Sequence, residues 1–326
     1  MKTVSLSISI ATSNHRDLLA TCLDSIYQAT LATSFEVAVV DSGSTDGTLA
    51  MLLERFPAVR VIESPEFSGY GRSHNQAMRQ RNGRYALILN DDMRVLPGSI
   101  DSMVRFMDEH PRAGILGCQL LDPDGTVQPS SYLTFSCLWT EVLRSPGLRR
   151  LVGDIRRRLQ PGAGVCDYYG RQNLEYTRAS RVAHLMGACL LVRGEVIEQV
   201  GLFDEGFFLS FEDQDWCKRI GEAGWEVIFF PAAKMVHFGG QTVRLLSDRF
   251  APIFLASRLY FQSKHFSRFS LLQLRLFWTL VVVARMGLSL ISRLAFRCRD
   301  LRAAWRRQAR LLGIAWSRVG EVPHGA

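Results

Sequence analysis

Runs of branched apolar residues recur along the N-terminal third of the chain, each followed by a polar loop and then by apolar positions at helical spacing. Residues 6–11 read as a first strand, with serine at every second position from Ser5 to Ser9. A polar run over 12–17 leads into a helix that carries Leu18, Leu19, Cys22, Leu23 and Ile26 on one face. Residues 35–40 form a second strand, and Asp41 to Thr48 is dense in turn and helix-cap residues. A helix over 49–56 stops at Pro57, and 59–63 is a third strand. Gly69 to Asn75 leads into a helix over 76–81, which Asn82-Gly83 closes. Residues 85–89 are apolar without polar alternation, the pattern of a strand covered on both faces. Three strand–loop–helix units in succession predict an α/β fold with a doubly wound, mostly parallel sheet and right-handed crossovers.

Beyond this core the pattern continues with a helix over 97–107, a strand over 113–121 and a turn at Asp122-Pro123-Asp124-Gly125-Thr126. Residues 128–180 mix aromatic residues, a basic stretch at 149–158 and a Gly/Pro-rich stretch at 160–164, and are expected to be a mobile excursion over the active-site face. Order returns with an apolar strand over 182–192, where Gly187 marks a close backbone approach. A helix over 194–200, an acidic helix running to Ala223 and a strand over 226–230 follow, and His237-Phe238-Gly239-Gly240 ends the compact body. The expected division is a body over 1–243 and a C-terminal segment over 244–326.

That division is sharpened by charge. The formal net charge is +8, but residues 244–326 hold 15 Lys/Arg against three acids, while residues 1–243 hold 24 basic and 28 acidic residues. A mildly acidic body needs no nucleic-acid partner. In the basic segment the longest uncharged run, 276–284, has 9 residues, short of the ~20 that span a bilayer. Arginines among Leu, Phe, Trp and Val predict helices lying on a membrane surface, the arginines meeting anionic lipid; the competing reading is a helical cap packed on the body. Seven cysteines without a C-x-x-C pair suggest reduced thiols in a cytoplasmic setting.

Candidate chemistry concentrates where strands end. Asn90, Asp91 and Asp92 follow the buried strand 85–89, at the edge where open α/β sheets bind ligands. Two adjacent aspartates repel, and a divalent cation shared with an anionic ligand relieves that. Asp41 ends another strand, where a carboxylate can accept the imide N–H of uracil or thymine. Glu212, Asp213 and Asp215 follow the aromatic run 207–211; apolar neighbours raise a carboxylate's pKa and suit it to act as a base. Asp215 fits the first turn of a helix, where the dipole favours acids. His237 can add an imidazole ligand to a metal.

The sequence of these features, from Ile8 to Asn14, then Val39 to Gly47, Leu89 to Asp92, Gly187-Ala188, Phe203-Asp204-Glu205, Phe211-Glu212-Asp213 and His237, resembles the family 2 glycosyltransferases. The resemblance covers residues 4–240 and is strongest to bacterial rhamnosyltransferases of surface polysaccharide synthesis. It implies the GT-A fold and an inverting reaction with Mg²⁺ or Mn²⁺. It assigns Thr12, Asn14 and Asp41, with Asn75 nearby, to the nucleotide; Asp91 to the ribose and pyrophosphate; Asp92 and His237 to the metal; and Asp213 to the general base, with Glu212 beside it. Ser13 stands where such enzymes usually carry Tyr, and Asn90 where many carry an acid. The implied donor is dTDP-L-rhamnose, with UDP-hexoses the alternative. The implied acceptor is a lipid-diphosphate-linked saccharide, which sets the enzyme on the cytoplasmic membrane surface. A nucleotidyltransferase would need a Gly- and Lys-rich phosphate loop, and none is present near the N-terminus. A non-catalytic nucleotide-sugar-binding module would have no need of Asp92 and Asp213 together.

Overall fold

The computed structural model describes residues 4–30, 32–136, 177–239, 250–296 and 301–317. Most of the expected excursion at 128–180 lies outside the described residues, as do Cys137, Cys166 and Cys298. The four described cysteines, 22, 118, 189 and 217, are free and buried. The chain forms two compact units, the first made of Met1–Phe135, Ala163–Glu205 and Glu212–Gln241, the second of Ser136–Gly162, Gly206–Phe211 and Thr242–Ala326.

The first unit is a mixed α/β layer structure. Its strands are β1 (Leu6–Thr12), β2 (Phe35–Ser42), β3 (Arg60–Ser64), β4 (Tyr85–Asn90), β5 (Met93–Val95), β6 (Ala113–Leu121), β7 (Val127–Gln128), β8 (Ser131–Tyr132), β9 (Ser180–Arg181), β10 (His184–Leu185), β11 (Cys189–Arg193) and β12 (Glu226–His237). Its helices are α1 (Arg16–Ala29), α2 (Thr48–Arg55), α3 (Tyr70–Met78), α4 (Ser99–Glu109), α5 (Gly194–Val200) and α6 (Glu212–Glu222). The main sheet runs β3-β2-β1-β4-β11-β6-β12-β5. The four N-terminal strands are mutually parallel, as is the pair β6–β12. Between them β11 lies antiparallel to both neighbours, and β5 closes the far edge antiparallel to β12.

Strand alternation explains the two cores. Tyr85, Leu87 and Leu89 of β4 pack into one cluster with Leu19, Leu23 and Ile26 of α1 and Met103 and Met107 of α4. Ala86 and Ile88 face the other way, into a cluster with Trp216 and Ile220 of α6 and Val196 of α5. Both faces of β4 are therefore covered, which is why it reads as an uninterrupted apolar run.

Three boundaries differ from expectation. Helix α3 begins at Tyr70 rather than at 76, because Gly69, at φ 110°, ends the preceding loop and lets the helix start at once. The expected strand 182–192 is broken into β10 and β11 around Gly187. The strand at 226 does not end at 230; it runs through Pro231 to His237 by a register shift between Phe230 and Lys234. A bulge tolerates a proline that a regular central ladder would not.

In the second unit, α7 (Phe250–His265), α8 (Arg268–Phe296) and α9 (Leu301–Trp316) share a small core of Leu255, Leu259, Leu274, Val282, Leu311 and Ile314. Phe269, Leu272, Leu276, Leu280 and Val283 recur at helical spacing on the other face of α8 and are 43–70% exposed. By length and composition, Arg268–Gly287 is able to cross a membrane. The short uncharged run emphasised in the sequence therefore does not exclude a crossing, since α8 carries its arginines at wide intervals.

Candidate active site

The carboxyl ends of β2, β1 and β4 lie side by side, with Thr12 in register with Asp41 and Ala11 with Asn90. Asp41 Oδ1 and Ser42 Oγ are buried and have no hydrogen-bond partner, and Thr12 beside them bonds Asp91. Such atoms are costly unless something pairs with them, so this corner suits a polar ligand. Asp41 keeps its other oxygen for the Ser44 N–H, at 3.3 Å. Asn14, at φ 56°, clasps the two loops above: its Oδ1 accepts from the Thr45 N–H at 2.7 Å, and its own N–H donates to Ser44 Oγ at 2.8 Å. Its amide oxygen is thus committed, leaving its NH₂ to reach a ligand. Asn75 is buried and fully engaged inside the fold. It donates to Phe203 O at 2.9 Å and to Glu205 Oε1 at 3.0 Å, and accepts from Phe203 N–H at 3.1 Å. These bonds tie α3 to the turn 201–205.

Asp91 is buried beside His15, whose Nδ1 lies 2.9 Å from Asp91 Oδ2. The bond to Asp91 pushes the His15 pKa up despite its burial, with the charges of Asp91, Asp92 and Asp46 adding to it. Burial pushes Asp91 up, and His15 pulls it back. The result is an imidazole at the strand ends whose protonated form is favoured by the neighbouring carboxylates. Nothing in the hydrophobic pattern marked His15; its only signal is its place after β1, opposite the acids after β4.

Asp92 meets His237 because β5 pairs with the end of β12. His237 is in register with Met93, and Phe238 N–H donates to Asp92 O at 3.0 Å. His237 Nε2 lies 3.3 Å from Asp92 Oδ1, a buried oxygen with no hydrogen-bond partner. No group of three or more His, Cys, Asp or Glu that could hold a metal occurs among the described residues. A carboxylate and an imidazole 3.3 Å apart nevertheless fit two adjacent positions on one divalent cation. Mg²⁺-type sites commonly take only one or two protein ligands and complete their shell with phosphate oxygens and water.

Across from these, Tyr70 joins two parts of the site. Its hydroxyl donates to Gly187 O at 2.6 Å and lies 3.2 Å from Asn90 Oδ1. Gly187 N–H in turn donates to Asp213 Oδ2 at 3.0 Å. A Cβ on Gly187 would stand 3.4 Å from Tyr70 Oη and 3.6 Å from Asp213 Cβ, so the backbone passes between the two. The Tyr70 pKa is raised well above the phenol value by burial first, then by Glu212, Asp213, Cys189 and Asp92. Tyr70 thus feels the carboxylates of both α6 and the β4 end. The Asp213 pKa is pushed up to about 6 by burial, against the N–H donors of Gln214 and Gly187. Glu212, buried with Oε2 unpartnered, is raised further by burial and by Asp213's charge. Burial thus raises both carboxyls, and each opposes the other's ionisation, so they titrate as a pair. Asp215 is occupied by Arg219, Nε to Oδ2 at 2.7 Å, in the structural role expected of it.

Residues 7–188 match the family model described as glycosyl transferase family 2, more than half of the chain. The chain belongs to glycosyl transferase family 2. It is 34% identical over 220 residues to the N-acetylglucosaminyl-diphospho-decaprenol L-rhamnosyltransferase of Mycobacterium tuberculosis, covering 64% of this chain and 68% of that one. It is 30% identical over 239 residues to the O-antigen biosynthesis protein RfbC of Myxococcus xanthus, 72% of this chain but 17% of that longer protein. Among solved structures, the mannosyltransferase PcManGT of Pyrobaculum calidifontis, in complex with GDP-Man and Mn²⁺, shares the fold at TM-score 0.54 and 17% identity, over 95% of this chain and 85% of that chain. The expected GT-A-type α/β fold and glycosyltransferase class hold for this chain, and relatives named as rhamnosyltransferases bear out the resemblance.

Proposed function

We propose that this glycosyltransferase is a metal-dependent, inverting rhamnosyltransferase that moves L-rhamnose from dTDP-L-rhamnose to a saccharide carried on a lipid diphosphate. The carrying observation is Asp213, a carboxylate raised to about 6 and oriented by the Gly187 N–H, in the same electrostatic surroundings as Asp92. A base with a pKa near the working pH takes protons efficiently. Asp213 accepts the proton of the acceptor hydroxyl as its oxygen bonds to the anomeric carbon. The bond from that carbon to the diphosphate oxygen breaks on the opposite side, and its electron pair leaves with the nucleoside diphosphate. The configuration inverts. Burial and the charge of Asp213 both oppose ionisation of Glu212, which limits the negative charge placed beside the base. Asp41 accepts the imide N–H of the base, Thr12 and the Asn14 NH₂ meet the nucleoside, and Asp91 with His15 faces the ribose and pyrophosphate. Asp92 and His237 would hold Mg²⁺ or Mn²⁺, which when bound neutralises charge on the departing diphosphate.

The rhamnosyl donor and the lipid-linked acceptor are supported by the printed activity of the mycobacterial relative. Asp41 reads uracil and thymine alike, so the deciding experiment offers dTDP-L-rhamnose and a panel of UDP-hexoses with Mn²⁺ and a polyprenyl-diphosphate saccharide. Transfer from dTDP-L-rhamnose with inversion, and a fall of about 10²- to 10⁴-fold in Asp213→Asn, is the expected result. Preference for a UDP-hexose replaces the donor; tight binding without turnover replaces the enzyme with a binding module; near-wild-type turnover in folded Asp213→Asn removes the base.

The lipid-linked acceptor implies a membrane surface, and α8 supplies the contact. Its apolar face carries no Asp or Glu, and Arg268 and Arg285 flank it. This combination suits an anionic bilayer interface on the cytoplasmic side. A Leu280→Glu, Val283→Glu variant should lose most partitioning onto anionic vesicles, with a smaller loss in high salt than in low; unchanged partitioning rejects the contact.

A further inference from the structure

His237 does not stand alone beside Asp92. Its Nδ1 lies 2.6 Å from Gln128 Oε1, and Gln128 Nε2 lies 3.0 Å from Asp122 Oδ1. A carboxylate accepts and cannot donate, so the nitrogen end of the Gln128 amide must face Asp122. The oxygen end then faces His237, where it can only accept. His237 Nδ1 therefore carries a proton, and in the neutral ring Nε2 presents a lone pair towards Asp92 Oδ1, 3.3 Å away. Two acceptors at that distance repel unless a cation lies between them. We infer that Asp122 and Gln128 are positioning residues that fix His237 in the tautomer a divalent cation requires. This rests on the metal reading of Asp92 and His237 given above.

The placement follows from the turn. Asp122 N–H donates to Thr126 O at 2.8 Å, and Gly125, at φ 85°, completes the reversal that brings β7 back along β6. Leu120 is thereby in register with Gln128, on the strand beside β12. Thr126 Oγ1 lies 3.2 Å from the other oxygen of Asp122 and 2.7 Å from Asp124 Oδ1, so the turn packs closely around that carboxylate. The backbone passes close by at Gly239, where a Cβ would stand 3.6 Å from Gln128 Nε2 and 3.8 Å from His237 Nδ1. Residues behind a metal ligand that set its tautomer and orientation commonly change affinity by about 10- to 100-fold when replaced.

The test measures Mn²⁺ affinity in the full-length protein by the electron-spin signal of free Mn²⁺, with nucleoside diphosphate present, and the His237 tautomer by nitrogen NMR without metal. Wild type should show the Nδ1–H form. Gln128→Leu should weaken Mn²⁺ by about 10- to 100-fold and shift His237 towards an Nε2–H or cationic ring that bonds Asp92 directly. Asp122→Asn, on the half-buried turn, frees Gln128 to turn over and should give a smaller loss in the same direction; it carries the test if Gln128→Leu does not fold. Restoring the polarity with the pair Asp122→Asn, Gln128→Glu should recover affinity. Unchanged Mn²⁺ affinity in Gln128→Leu and Asp122→Asn, or an Nε2–H ring in the wild type, overturns the inference while leaving the metal site standing. No Mn²⁺ binding by wild type overturns both.

Discussion

On the β3-β2-β1-β4 side of the sheet, Thr12, Asp41 and Asn90 each sit where their own strand ends, in register with their neighbours. On the β11-β6-β12-β5 side, site residues meet because segments far apart in the chain pair with one another: His237 with Asp92 through β5 and β12, and Gly187 with Asp213 at the break before β11. Parallel βα units repeat one solution, a strand whose last side chains face the ligand edge and whose loop opens a helix. The antiparallel insertions trade that regularity for reach, and bring Asp213 and His237, the proposed base and metal ligand, from the last third of the body to the site. On the proposed reading, the first side recognises the donor and the second carries the reaction.

If that separation of labour is real, each side can be damaged without the other. The largest effect expected of the parallel side comes from Asp41→Asn. Asp41 Oδ1 is buried and unpartnered, and the substitution replaces a charged acceptor with a neutral one. Losing a charge-assisted hydrogen bond costs about 1.5–3 kcal/mol, or roughly 10- to 150-fold in affinity for the nucleoside diphosphate. Calorimetric titration of the nucleotide with and without Mn²⁺ measures it. Mn²⁺ affinity of the nucleotide-free protein should stay as in wild type; an equal fall in both constants would merge the two halves into one.

The same contrast decides what the sequence made legible. The parallel side was readable because each element is local: the apolar run at 85–89, the cap-rich run after Val40 and the helix spacing after Asp17 report on their own neighbourhoods. The break at Gly187 was foreshadowed as a close backbone approach, but its partners, Tyr70 and Asp213, were not, since Tyr70 lies 117 residues away. His237 was legible only as a lone imidazole, without Asp92 beside it, because Pro231 reads as the end of a strand that in fact continues through a bulge. Asn75 and His15 have partners the pattern does not reveal: Asn75 ties α3 to a distant turn, and His15 pairs with Asp91. Burial and pairing across more than seventy residues leave no periodic trace in a single sequence.

A smaller effect probes the reaction side through its charge. The Asp213 pKa in the folded protein, about 6, lies above the usual aspartate value near 4. Between those two values the folded state holds a proton that the unfolded state has lost, so stability falls as pH rises through that window and stays lowered above it. Asp213 keeps some exposure to solvent, so the penalty at neutral pH is about 1–2 kcal/mol rather than the full span of the shift. Replacing it with Asn removes the charge and should raise the melting temperature at pH 8 by several degrees, with little change at pH 4, where the carboxyl is protonated in wild type. The gain also includes relief of Glu212, whose own ionisation is held back by Asp213, so the two carboxyls titrate as a pair. Melting curves of both proteins at the two pH values decide it. A gap of the same size at pH 4 and pH 8 would mean that packing, not an ionised buried carboxylate, separates the variants, and Asp213 would lose its standing as the poised base.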